Sequence, residues 1–239
     1  MSPHRALDRD QIIAATLRLS CTPSANAISY RRIAKELNVD PAALYRHFSA
    51  KDELLDASLD RLWQVCLAPL DLTLPWRDRL RRGAWLIYEA AVSHPALGVE
   101  ASYRSTGGPG EQWAILQILS ALEDAGLRGQ DVVRSYAVYA GTVLSMAGAQ
   151  SAYRIAEEAA TLGYEDPWVA GSLDLEADEA GADLPDVLAR YGQSISQMTN
   201  RETFELMLDA ILDAVETSAS SPRKATTSAS RQTARRSAR

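Results

Sequence analysis

The chain has 239 residues, 46% of them apolar, enough to bury a sizeable core and too apolar for a disordered polypeptide. No apolar run approaches the roughly 18 residues that cross a bilayer. The charged start "MSPHRALDRDQ" also lacks the apolar stretch of a secretory signal, so a cytoplasmic protein is expected. The net charge of −6 hides a separation: residues 1–51 sum to +4, residues 52–216 to −16 and residues 217–239 to +6. A basic head of this kind leaves a polyanionic partner open despite the acidic whole.

Helical signals run along the whole chain and no strand pair is evident, so the expected fold class is all-α. Asp8 or Asp10 suits the cap of a first helix reaching Ser20, with Ile12, Ile13, Thr16, Leu17 and Leu19 as its apolar face. After the loop "CTPSANA", Ser29 caps a second helix that ends at Leu37, before Asn38, a residue that tolerates the left-handed conformation. Asp40 caps a third helix with Pro41 in its first turn, predicted to end near Phe48. A long amphipathic helix begins in "SAKDELLDASLDRLWQVC". Past a break over residues 69–75, "WRDRLRRGAWLIYEAAVSH" forms a helix stopped by Pro95. A Gly-rich loop over residues 105–111 precedes helices at about 112–125 and 131–162. An acidic loop over 163–185 and helices at about 186–198 and 201–217 complete the body. From Ser218 the Ser/Thr/Ala/Arg-biased sequence predicts a disordered basic tail. Cys21 and Cys66 stand apart among apolar neighbours and read as buried free thiols.

Two short helices joined by a tight turn, the second entered through a cap and a proline, form a helix-turn-helix pattern. Pro41, Ala42 and Ala43 are small enough for that end to approach base edges, and alanine methyls can meet thymine methyls. Tyr45, Arg46, His47 and Lys51 offer donors suited to phosphates, and Arg31 has the reach for a bidentate guanine contact. The same spacing also suits a plain helical bundle, with Leu44 and Phe48 in its core and the polar residues solvated. His4, His47 and His94 are scattered, no nucleophile has a base partner, and no phosphate loop or metal cluster appears. Neither an enzyme nor a cofactor is therefore expected.

The run "ISYRRIAKELNVDPAALYRHFSAKDELLDASLDRLW" resembles the DNA-binding region of TetR-like (tetracycline-repressor-like) transcriptional regulators. The likeness is carried by Ile33–Ala34, Val39 after the turn, Leu44–Tyr45, His47–Phe48, and Lys51 followed by Leu54–Leu55. The body, from "PWRDRL" to "FELMLDAILDAV", is similar to that family's ligand-binding domain more loosely. The resemblance implies a three-helix DNA-binding domain over residues 1–50, a helical effector-binding and dimerisation domain over 51–217, and a tail over 218–239. It also implies that Tyr45 and Lys51 grip phosphates, that Arg31, Pro41, Ala42 and Ala43 face bases, and that His47 supports the backbone contact. Two departures stand out: Asn38 replaces the usual turn glycine, and Pro41, Ala42 and Ala43 lack the side-chain hydrogen bonding of many relatives. Base discrimination is then expected to draw on Arg31, Arg46 and DNA shape.

In the body, Ala137, Ala140, Gly141, Leu144, Ala147, Gly148 and Ser151 recur at three- and four-residue steps, a smooth stripe that permits close helix approach. With Phe204, Leu208, Ile211 and Leu212 it reads either as a homodimer seam, which the resemblance favours, or as intrachain core. Trp85, Tyr88, Trp113, Tyr136, Tyr139, Val143 and Met146, with His94, Tyr103, Arg104 and Gln112 as polar contributors, are the candidate lining of a cavity for a small amphipathic effector. The expected function is a ligand-responsive, sequence-specific repressor that a small molecule releases from a palindromic operator on double-stranded DNA. An activator, or a DNA-coating protein without an effector, shares the same head. The tail cations add at most sequence-blind affinity.

Overall fold

In a computed structural model, which describes residues 7–161, 190, 191, 194 and 197–220, Asp8 opens the fold. Its carboxylate accepts from the Gln11 amide at 2.8 Å while the Gln11 side chain accepts from the Asp8 amide at 3.0 Å, a reciprocal cap on α1 (Arg9–Ser20). Ser29 caps α2 (Tyr30–Leu37), and Asn38 leaves it left-handed at φ 53°. Asp40 then caps α3 (Pro41–Leu44), which is four residues long rather than reaching Phe48. The amides of His47 and Phe48 both converge on the Leu44 carbonyl at 3.0 Å, the tightening expected where a helix ends. That turn buries Leu44 and Phe48 completely.

The remaining elements among the described residues are α4 (Lys51–Leu67), α5 (Trp76–Ser93), α6 (Pro95–Ala101), α7 (Pro109–Asp124), α8 (Gln130–Thr161) and α9 (Asn200–Ser220), with no strand. Helix α6 was not expected. Pro95 does stop α5, yet it also occupies the first turn of α6, where its missing N–H costs nothing. Helix α9 runs on through Ser218 to Ser220, so the first residues assigned to the tail are helical. The rest of the tail, the acidic loop over 163–185 and most of the helix expected over about 186–198 lie outside the described residues. No helix among the described residues is long and apolar enough to cross a membrane.

Helix α8 is the spine of the body, packed by α5, α6 and α9, while α4 lies against α1, α5 and α7. The predicted dimer stripe is largely internal. Ala147, Gly148 and Ser151 face α6, where a Cβ on Gly148 would fall 2.5 Å from the Ser102 Cβ. The Ser151 hydroxyl sits 3.1 Å from the Ala91 carbonyl on α5. Phe204, Leu208 and Leu212 are buried within the same protomer, Phe204 stacked on Tyr88 at 4.4 Å. Six of the eleven proposed seam residues are therefore intrachain core, because the small side chains of α8 serve the approach of α6 and the large ones of α9 pack onto α8 and α5. Ala137 and Gly141 are exposed, and Ala140, Leu144 and Ile211 are half-buried. Both cysteines are free, but Cys21 is exposed and Cys66 half-buried, since Cys21 lies just past the end of α1.

Candidate functional site

The head presents Arg31, Pro41, Ala42, Tyr45, Arg46 and Lys51 to solvent, with Ala43 and His47 half-buried. Arg31, Arg46 and Lys51 make no ion pair among the described residues, so their charge is available. The turn that carries Tyr45 is held from three sides. Tyr45, 58% exposed, meets Tyr30 edge-on at 4.5 Å between ring centroids. The Tyr30 hydroxyl donates to the Phe48 carbonyl at 2.9 Å. Burial, then the neighbouring Tyr45 and Glu53, raises the pKa of Tyr30, keeping it the neutral donor this bond needs. Arg9 lies 4.0 Å above the Phe48 ring, donates to the His47 carbonyl, and pairs with Glu53 at 2.8 Å. Glu53 in turn accepts from the Ser49 amide at 3.0 Å, fixing the entry to α4. Hydrogen bonding, first from Arg9 and then from the Ser49 amide, holds its carboxyl below the ordinary carboxylate range. Sequence reasoning missed Arg9, Tyr30 and Glu53. Arg9 and Glu53 are 44 residues apart and carry no spacing signal.

In the body, Trp63 of α4, Ile87 of α5, Ile118 of α7 and Tyr136, Tyr139 and Val143 of α8 line a cavity of about 60 Å³, together with Arg104 and Glu111. A smaller void of about 20 Å³ adjoins it through Ile87, Ala114, Ile118 and Tyr139, with Trp113 on its wall. Of the predicted lining, Arg104, Tyr136, Tyr139 and Val143 are in place, and Trp113 reaches the smaller void. The others are not. Helix α5 turns Ile87 and Gly83 toward these voids, so Trp85 and Tyr88 face α9, where both contact Phe204. His94 places Nδ1 2.9 Å from the Ala90 carbonyl, and Gln112 donates to the Gly107 carbonyl at 2.9 Å. Tyr103 is 68% exposed, and Met146 packs half-buried on the core.

Polar groups tie this cavity to α5 and to α4. Tyr139 donates to the Leu80 carbonyl at 2.6 Å, and burial raises its pKa well above that of a free phenol. Burial opposes the charge of Arg104, but hydrogen bonds with Glu100, Asp56 and Asp52 outweigh it and raise its pKa. The guanidinium donates to Asp52 and Asp56 of α4 at 3.0 Å each and to Glu100 of α6 at 2.9 Å. Further along α4, Asp60 is only 6% exposed and accepts from the Glu111 amide at 2.9 Å and from Gln64 at 2.8 Å. It thereby caps α7 from another helix. Gly108 must lack a side chain there, since a Cβ would lie 2.4 Å from the Asp60 carboxyl carbon. The Glu111 side chain accepts from Ser105 at 2.8 Å and from the Gly107 amide at 2.6 Å.

Known proteins match both halves of this arrangement. Residues 12–58 match the family described as bacterial regulatory proteins, tetR family. The HTH-type transcriptional repressor DrrR1 of Streptomyces coeruleorubidus is 28% identical over 218 residues, 90% of this chain and 79% of its own. The TetR family protein ActR of Streptomyces coelicolor, solved in complex with actinorhodin, superposes with a TM-score of 0.69 at 22% identity, covering 91% of this chain and all of ActR. BioQ, solved with its double-stranded DNA operator, superposes with a TM-score of 0.53 at 27% identity over 65% of this chain and 94% of its own. The α2–α3 helix-turn-helix lies inside the segment that matches the tetR family, so the head is similar to that family's regulators, and the chain as a whole shares the fold of ActR.

Proposed function

We propose that the protein is a homodimeric repressor that grips a near-palindromic operator through its paired heads and lets go when a small amphipathic molecule enters the body cavity. One observation carries this reading: the head keeps Arg31, Arg46 and Lys51 free of ion pairs among the described residues, while the charged wall of the cavity is bonded to α4, the helix that begins at Lys51. In this reading Tyr45 and Lys51 hold phosphates, Arg31, Pro41, Ala42 and Ala43 meet bases, Arg46 adds charge, and His47 lends its backbone to the turn. A DNA-bound BioQ and a repressor among the relatives support this direction.

The two copies meet through the exposed faces of α8 and α9, where Val138, Gly141, Leu206 and Met207 are uncovered in the protomer. Two α3 helices about one DNA turn apart then read an inverted repeat. The cavity has room for a few waters and no more. An effector of ordinary size must therefore part α4, α7 and α8, which favours a dimer whose heads no longer match the operator spacing. ActR in complex with actinorhodin is a precedent for a ligand in this fold. The protein acts in the cytoplasm, without a cofactor and without catalysis.

Selection of bound duplexes from a random pool, at stated salt, tests the proposal. A single inverted repeat with half-sites separated by about one helical turn is the expected result. A footprint that spreads along the duplex without a shared sequence would overturn it.

A further inference from the structure

We propose that Arg104 has two roles: it recognises an acidic group on the effector, and it masks Asp52 and Asp56 beside the phosphate-contacting end of α4. The inference rests on the reading of the body cavity as the effector site and names the chemical class of that effector, an apolar body carrying a carboxylate.

Two charged side chains line the cavity, Arg104 and Glu111. Glu111 is committed to its own loop, accepting from Ser105, Thr106 and the Gly107 amide, so the wall offers no ready carboxylate to an organic cation. Arg104 is also fully bonded, but unequally. Its side chain is 17% exposed, whereas its partner Asp52 is 76% exposed and reached by the same nitrogen that serves Glu100. Exposed ion pairs contribute little. A carboxylate arriving inside the drier cavity competes for Arg104 on favourable terms, because a charge-assisted bidentate pair is stronger where water is excluded.

The exchange has a consequence at the other end of α4. Asp52 follows Lys51 directly, and Asp56 lies one turn further along. With Arg104 engaged, its single positive charge, shared with Glu100, offsets part of theirs. Once Arg104 turns to a ligand, two carboxylates stand uncompensated in the first turns of α4, beginning one residue from Lys51, close enough that salt does not fully screen them. Glu53, the remaining carboxylate of that turn, is held by Arg9 and stays paired. An acidic effector thus adds repulsion where the head needs attraction.

The test uses the full chain and a labelled duplex, read by fluorescence anisotropy at about 0.1 M salt, where the Debye length is about 10 Å. Arg104→Gln should bind roughly tenfold more weakly, and Asp52→Asn with Asp56→Asn in the same chain should restore affinity to within about twofold. An Arg104→Gln protein that binds like the wild type overturns the masking role, as does a loss the two Asn changes fail to relieve. The effector class is read with 2-naphthoate and its uncharged methyl ester at millimolar concentration. Naphthoate should release the duplex from the wild type, the ester should not, and the triple variant should ignore both. No release by naphthoate, or equal release by the two, overturns the acid preference. A wild-type protein that holds no duplex would instead defeat the DNA-binding reading itself, which keeps the two failures apart.

Discussion

Tyr30 does not touch DNA in the proposed complex, yet it is the residue on which the position of Tyr45 depends. Tyr30→Phe deletes the 2.9 Å bond to the Phe48 carbonyl while keeping the ring contact, so the 45–48 turn loosens without loss of helix. DNA affinity should fall several-fold with an unchanged circular dichroism spectrum; unchanged affinity would show that Tyr45 needs no such support. Tyr45→Ala or Lys51→Ala should weaken binding to every sequence. Arg31→Ala should instead relax preference at one base pair, at about 1–3 kcal/mol, measured by titrating duplexes changed one position at a time. The thiols supply an independent check on burial. Burial pushes Cys66 up to about 12, so it stays protonated at pH 8, while Cys21 is exposed with a smaller upward shift. A thiol reagent at that pH should modify exposed Cys21 first and half-buried Cys66 far more slowly; equal rates at the two thiols in the native protein would contradict the packing of α4. The exposed face of the head was legible because its residues fall within a few positions of a cap, a proline and a turn. Arg9 and Glu53 were not, because an ion pair between distant positions leaves no local pattern.

At the level of elements, the sequence disclosed the starts of α1, α2 and α3 through their caps, and misread what one stripe was for. Small residues on α8 announce that another backbone comes close, but the spacing is the same whether that backbone belongs to this protomer or a partner. The neighbour is α6, itself overlooked because Pro95 was taken only as a stop. Gly148→Ala would therefore act on stability rather than assembly. The added methyl lies 2.5 Å from the Ser102 Cβ, and overpacking of this kind costs about 1–3 kcal/mol. A lower melting temperature with an unchanged molar mass by light scattering is expected; dissociation into stable monomers would return Gly148 to the seam. The aromatic residues of α5 show the same ambiguity. Trp85 and Tyr88 have the composition of a cavity wall, and helix rotation alone assigned them to Phe204 instead.

For the molecule as a whole, the separation of charge seen in the sequence corresponds to a division of labour between a head that keeps Arg31, Arg46 and Lys51 free of ion pairs and a body in which Arg77, Arg79, Arg81 and Arg104 are spent on carboxylates. Assembly is the property least accessible from one chain. Leu206→Glu places a charge on an exposed position of α9 that contributes little to the protomer core. It should yield folded monomers that have lost most of their operator affinity, checked by light scattering and anisotropy; an intact dimer would move the interface elsewhere. Arg9–Glu53 and Arg61–Asp10 both stitch α1 to α4, across the boundary at which the sequence first divides. Anyone grafting this head onto a foreign regulator to redirect its target should join the chains beyond Leu67, since a splice at residue 51 would discard the far half of both stitches and leave the transplanted reader without its brace.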